Sequence, residues 1–203
     1  MNYKIIRLVL GAYQTNCYIV FDEDNNAVII DPGDEANKII ETIDKKGFKP
    51  EKIIITHAHP DHFGAAKEVA KKYGVKIYTG EIEDKILEKR SSEIGNKLNA
   101  DILLRQGDEV EFSGNAFKII ETPGHTPGGI CLLLNNVLFS GDTLFRSSIG
   151  RTDFEGGDYD QIIDSLLKLM KLPEDTLVLP GHGPETTIGF EKENNPFINN
   201  LVW

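Results

Sequence analysis

Ten consecutive residues constrain this chain more than any other feature. Ile53-Ile54-Ile55-Thr56-His57-Ala58-His59-Pro60-Asp61-His62 runs from an apolar stretch straight into three imidazoles and a carboxylate. A short, wholly apolar run is expected for a strand covered on both faces. Side chains alternate along extended backbone, so His57 and His59 project to the same side. Pro60 bends the chain, which lets Asp61 and His62 face a neighbouring position. Imidazole nitrogen and carboxylate oxygen are the donors that suit zinc and neighbouring divalent metals.

The chain has five histidines, and the other two stand in matching surroundings. His125 lies in Thr122-Pro123-Gly124-His125-Thr126-Pro127-Gly128, and His182 in Leu179-Pro180-Gly181-His182-Gly183-Pro184. Each follows an apolar run and sits in a Gly/Pro loop that permits close backbone approach. Asp142 obeys the same grammar, with Val137–Phe139 leading into Ser140-Gly141-Asp142-Thr143. Taken singly, a loop histidine is usually a solvated side chain, and such an aspartate a turn former or helix cap. No histidine occurs outside these segments, which argues for one shared task. Five imidazoles and two carboxylates exceed the three protein ligands of one catalytic zinc. Divided as three histidines on one ion and two histidines with Asp61 on the other, they make two open sites with Asp142 between. Such ions would stand about 3.5–4 Å apart and share a hydroxide.

The rest of the chain alternates between the periods of strand and helix. Lys4–Leu10, Asn16–Phe21 and Ala27–Ile30 are β-prone runs separated by turn residues. Ala36, Ile39, Ile40 and Ile43 follow helical spacing up to Gly47, and Ala65, Ala66, Val69, Ala70 and Tyr73 up to Gly74. Val75–Tyr78 reads as strand, Glu81–Arg90 as a heavily charged helix and Ser91–Ala100 as loop. Two hairpins are expected, Glu109–Phe112 with Ala116–Glu121 and Ile130–Leu134 with Val137–Phe139. Tyr159–Met170 carries a helical apolar face, Thr176–Leu179 is a strand, and a helical segment is expected from Glu185 onward. Strands with helices inserted in both halves suit two packed sheets with helices outside. A length of 203 residues with no linker or repeat reads as one domain, 1–203.

Composition narrows the function. Against 22 Lys and Arg stand 32 Asp and Glu, a formal charge of −10, which disfavours a nucleic-acid partner. No apolar run approaches the roughly 18 residues of a membrane span, and the N-terminus lacks a signal-peptide pattern. A cytoplasmic location and a small-molecule substrate are the expectations; the oligomeric state is left open. Cys17 and Cys131 each sit in an apolar strand-like run and are expected as buried thiols, not as a disulfide.

Thr-His-Ala-His-Pro-Asp-His, Gly-His125, Gly-Asp142 and Gly-His182, in this order, resemble the metallo-β-lactamase superfamily over essentially the whole chain. The resemblance implies an α/β fold, a four-layer αββα sandwich with metals at one edge of the sheets. It places His57, His59 and His125 at one metal, Asp61, His62 and His182 at the other, and Asp142 as the bridge. Asp61 and Asp142 become the catalytic candidates. Two divalent ions per chain are implied, zinc foremost, with iron or manganese as alternatives. Gly141-Asp142-Thr143-Leu144-Phe145 and Gly150-Arg151-Thr152-Asp153-Phe154 are similar to the glyoxalase II (hydroxyacylglutathione hydrolase) group, which implies thioester hydrolysis by a metal-bridging hydroxide. Longer members of that group add a C-terminal helical region with basic glutathione contacts. Here 21 residues follow His182, with Lys192 their one basic residue, so glutathione recognition is expected to be weaker.

Thr56 and Asp31 are candidates to orient the ligands, with capping as their competing role. Arg146 and Arg151 are candidates to meet an anionic substrate. Two other activities share the motif: a mononuclear iron persulfide dioxygenase using His57, His125 and Asp142, and a nuclease, which the acidic composition disfavours.

Overall fold

The computed structural model describes residues 3–199. One sheet consists of β1 (Tyr3–Leu10), β2 (Thr15–Asp22), β3 (Asn26–Ile30), β4 (Lys49–Ile54), β5 (Lys76–Gly80) and β6 (Ile102–Leu104), side by side in that order. Strands β1 to β3 are antiparallel neighbours, and β3 to β6 run parallel. The parallel connections carry α1 (Ala36–Lys46), α2 (Pro60–Phe63), α3 (Ala66–Tyr73) and α4 (Glu81–Glu93). A parallel return needs a crossover, and a helix supplies it.

The second sheet contains β7 (Glu109–Phe112), β8 (Asn115–Glu121), β9 (Ile130–Leu134), β10 (Val137–Gly141), β13 (Leu177–Pro180) and β14 (Thr186–Thr187), in the order β14-β13-β10-β9-β8-β7. A small ribbon of β11 (Leu144–Phe145) and β12 (Ser148–Ile149) projects from it. The helices of this half are α5 (Tyr159–Leu169) and α6 (Ile188–Asn194).

The period of two along each strand divides the core into three layers. In β3, Ala27 and Ile29 pack outward with α1 and α3, beside Ile39, Ile43, Ala66 and Val69. Their neighbours Val28 and Ile30 point inward to Phe117, Leu132 and Phe139 of the opposing sheet. In β9, Leu132 and Leu134 face inward, while Cys131 faces α5 through Ile162, Leu166 and Leu169. The result is helix, sheet, sheet, helix: the expected αββα sandwich.

Cys17 and Cys131 are both free and fully buried, one under each outer helical layer, so the fold itself keeps them apart. Burial pushes both thiols up, Cys131 to about 11.

Some local expectations need correction. Glu185 onward is not simply helical: Thr186 and Thr187 first pair with Val178 and Leu177 as an edge strand, and the helix begins at Ile188. Ser91–Ala100 is not all loop, because α4 continues to Glu93. Strand β4 begins at Lys49 rather than Ile53, running through Pro50 with a register shift opposite Ala27/Val28.

Candidate metal centre

The strands deliver the site. Asp31 follows β3, His57 follows β4, His125 follows β8, Asp142 follows β10 and His182 follows β13. β8, β10 and β13 share one direction within their sheet, so their carboxyl ends meet at one edge. β2 runs the other way, which brings its first residue, Thr15, to the same edge, where it bridges His182. Pro60 opens the one-turn α2, with His59 before it in extended conformation, so Asp61 and His62 turn away from His57 and His59.

All seven sequence-derived candidates converge, in two sets. His57, His59, His125 and Asp142 form one, and Asp61, His62 and His182 the other. In the first, His59 Nδ1 lies 3.0 Å from His57 Nε2 and 2.9 Å from His125 Nε2. Asp142 Oδ2 stands 3.8 Å from His57 Nε2 and 3.5 Å from His125 Nε2. In the second, His62 Nε2 and His182 Nε2 are 3.3 Å apart, and Asp61 Oδ2 lies 3.6 and 3.3 Å from them. Asp142 reaches this set as well, with Oδ1 3.4 Å from His62 Nε2 and Oδ2 3.5 Å from His182 Nε2. Donors on a tetrahedral ion with bonds of about 2.0–2.1 Å stand ~3.3 Å apart. Both sets match that spacing.

The atoms behind the imidazoles explain why lone pairs face inward. His125 Nδ1 donates to the Arg151 carbonyl at 2.7 Å, and His182 Nδ1 to the Tyr13 carbonyl at 3.1 Å. His62 Nδ1 donates to Asp31 Oδ2 at 3.0 Å. Thr56 Oγ1 donates to the same Asp31 oxygen at 2.7 Å, leaving its lone pair for His57 Nδ1 at 3.1 Å. Each of these rings is therefore held through Nδ1 and turns Nε2 to the centre, where its lone pair serves an ion once any second proton is lost. Asp142 Oδ1 is buried with no hydrogen-bond partner among the described residues. An orphaned carboxylate oxygen among converging lone pairs is costly without a cation to share. The residues fit a pair of divalent ions. Thr56 and Asp31 thus do more than cap: they hold two of the rings.

Electrostatics distinguish the two sets. Burial, reinforced by neighbouring imidazoles, holds His57 well below its ordinary value and His59 down to about 3. Burial also lowers His125, against the opposing pull of Asp142. In the second set burial is outweighed. Asp142, Asp31 and Asp61 raise His62 to about 9, and Asp61 and Asp142 raise His182. Burial acting on Asp61 is likewise overcome by His182, His62 and Thr15, which hold its carboxyl well below the usual range. Metal-free, the first set repels protons and the second attracts positive charge.

Above the donors opens a cleft of about 520 Å³. His59, Asp61, His125, Asp142 and His182 form its floor, and Tyr13, Phe145, Ile149 and Phe154 give it apolar walls. Arg151 lines it, stacked 3.8 Å over the Phe154 ring and bridged to Asp153 at 2.7 and 2.6 Å. Arg146 instead stacks on Phe190 and donates to the Glu185 carbonyl, away from the lining residues.

Sequence reasoning missed several contributors. Thr15 donates to Asp61 Oδ2 at 2.8 Å, a contact made only when β2 meets the α2 turn that follows β4. Glu83 is fully buried and accepts from the two loops that carry His57, His59 and His125. In α4, Glu83, Leu87 and Ser91 recur every fourth residue and all three are buried, a face that the heavy charge of the helix conceals in the sequence.

An αββα sandwich with two His/Asp donor sets sharing one aspartate at a sheet edge is the architecture of a metallohydrolase. The chain belongs to the metallo-β-lactamase superfamily, whose family model matches residues 10–182. It is 39% identical to hydroxyacylglutathione hydrolase GloC of Haemophilus influenzae, over 98% of this chain and 99% of that one. Among solved structures it is similar to the BLEG-1 B3 metallo-β-lactamase, with TM-score 0.90, 38% identity, and coverage of 97% of this chain and 100% of that chain. It is also similar to TTHA1623 in a di-iron-bound form, with TM-score 0.83, 34% identity, and coverage of 95% and 100%.

Proposed function

We propose that the protein hydrolyses small-molecule thioesters, with two divalent metal ions held by His57, His59 and His125, by Asp61, His62 and His182, and by Asp142 between them. The observation that carries the reading is Asp142: its two oxygens lie within 3.4–3.8 Å of four imidazole nitrogens from both sets. Bound there, the ions supply an acidified water as nucleophile and polarise the substrate carbonyl. Asp142, within reach of imidazoles of both sets, would help hold both ions. Asp61, held by Thr15, lines the cleft and would accept a hydrogen bond from a water bound there.

The leaving group decides between substrates. A thiol of pKa about 8.5 departs as thiolate without a strong acid, whereas an amide nitrogen must be protonated as it leaves. Besides the metal-binding candidates, the protic side chains lining the cleft are Tyr13, Ser148 and Arg151. Arginine does not give up its proton, a serine hydroxyl is a weak acid, and Tyr13 is 77% exposed. None is a positioned acid for an amine, which favours thioesters over β-lactams.

The carrier is addressed by the cleft walls, where among the described residues Arg151 is the one Lys or Arg lining the site and Asp153 already pairs with it. We expect modest selection among thiols. GloC is a chain of the same extent named for glutathione thioesters, so S-lactoylglutathione belongs in the assay. The test is kcat/KM at measured metal content for one acyl group on several thiols, alongside a β-lactam, glutathione persulfide and a phosphodiester. Thioesters should lead, with glutathione preferred by less than about 100-fold, or roughly 2.7 kcal/mol. Oxygen consumption with the persulfide on an iron-loaded protein, without thioester turnover, would replace this reading by the dioxygenase one.

A further inference from the structure

Helix α4 lies outside the donor cluster, yet two of its side chains reach the two peptide groups that flank one residue inside it. Glu83 Oε1 accepts from the Ala58 N–H at 2.7 Å, and Arg90 Nη1 donates to the Ala58 carbonyl at 3.1 Å. Ala58 is the residue between His57 and His59, and it is fully buried. The other oxygen, Glu83 Oε2, accepts from Gly128 N–H at 2.9 Å and Thr126 Oγ1 at 3.1 Å, in the loop that carries His125. Arg90 Nη2 reaches the Glu155 carbonyl at 3.4 Å, next to Phe154 of the cleft wall. The helix comes this close because Gly128 has no side chain: a Cβ there would collide with the Glu83 backbone and carboxylate.

We propose that Glu83 and Arg90 are positioning residues for the first donor set. Together they clamp the His57–His59 peptide against the His125 loop and so set the spacing of those three imidazoles. Among the described residues neither side chain hydrogen-bonds to Asp61, His62 or His182, so the clamp acts on one set. The inference rests on the proposal that these histidines hold metal, but goes beyond it by naming what fixes their geometry.

A buried carboxylate that accepts three hydrogen bonds, two of them from backbone N–H groups, is not replaceable by an amide. In Glu83→Gln the side-chain NH2 must face either the Ala58 or the Gly128 N–H, leaving donor against donor. Outer partners of metal-binding residues typically change metal affinity 10–100-fold.

The experiment measures Zn2+ affinity by competition with a chromophoric chelator in two single-site backgrounds. His182→Ala leaves the first set intact, and His125→Ala leaves the second. Adding Glu83→Gln should weaken Zn2+ binding at least tenfold in the His182→Ala protein and by less than twofold in the His125→Ala protein. Equal losses in both would show a general packing effect, and no loss in the first would show no clamp; either overturns the inference while leaving the metal reading intact. No Zn2+ binding by wild-type protein would overturn both. Should Glu83→Gln fail to fold, Arg90→Met removes the other half of the clamp from a half-buried side chain. The same asymmetry between backgrounds is then expected, and its absence decides against the clamp.

Discussion

Asp142 differs from the other acidic residues of this edge. Asp61 has Thr15 as a donor, and Asp31 has Thr56 and His62, but Asp142 Oδ1 has no hydrogen-bond donor among the described residues. Its surroundings compensate only if cations sit between it and the imidazoles. Asp142→Asn keeps the shape and removes the charge. Metal affinity and thioester turnover should fall together, each by at least about tenfold, the scale on which even outer partners act. Full occupancy with normal turnover in that variant would remove Asp142 from the centre. Gly181 shows how tightly the pocket around it is drawn, since a Cβ there would meet Asp142 Oδ1 and the His62 ring.

The imidazoles make a second residue-level prediction, for the metal-free protein. His57 and His59 have folded pKa values below their unfolded value near 6.5, so the unfolded chain binds protons that the folded one refuses. Their effect destabilises the fold as pH drops below about 6.5. His62 is raised to about 9 when folded, so it stabilises below about 6.5 and that contribution fades as pH rises to about 9. The melting temperature of chelator-treated protein should therefore peak near pH 6.5 and decline on both sides. A flat profile between pH 6.5 and 9 would contradict the charge environment assigned to His62.

At the scale of elements, the site depends on two sheets keeping register with each other. Phe139 of β10 lies between them, its ring centroid 5.4 Å from Tyr18 of β2 and 6.0 Å from Phe117 of β8. Asp142 follows it by three residues. Phe139→Ala should cost about 3–5 kcal/mol, the usual range for a buried phenylalanine, read from urea unfolding of the metal-free protein. A loss below 1 kcal/mol would mean that the inter-sheet core does not hold this strand.

The same scale explains what the sequence discloses. The loop donors were legible because each stands just past an apolar strand run, among Gly and Pro, where little else competes to explain it. Glu83 was not, because a charged helix does not announce which face it turns inward. Thr15 was not, because its contact with Asp61 arises from β2 meeting the one-turn α2, 46 residues on. Strand β6 escaped as well: Ile102–Leu104 has only three residues and no period to read. Edge strand β14 hid within a segment that otherwise reads as helix.

For the whole molecule, the sandwich is a device for bringing distant loops to one edge. Residues from 13 to 182 contribute to the floor and its supports, drawn from both sheets and steadied by a helix on the outer face. No helix among the described residues is long and apolar enough to cross a membrane. The account makes the two donor sets one functional unit joined at Asp142, which a single titration can test. Thioester hydrolysis is followed as Zn2+ is added stepwise to metal-free protein, with bound metal measured at each point. The account predicts that activity reaches its maximum at two ions per chain. A maximum at one ion per chain, or no thioester hydrolysis at any occupancy, would contradict it.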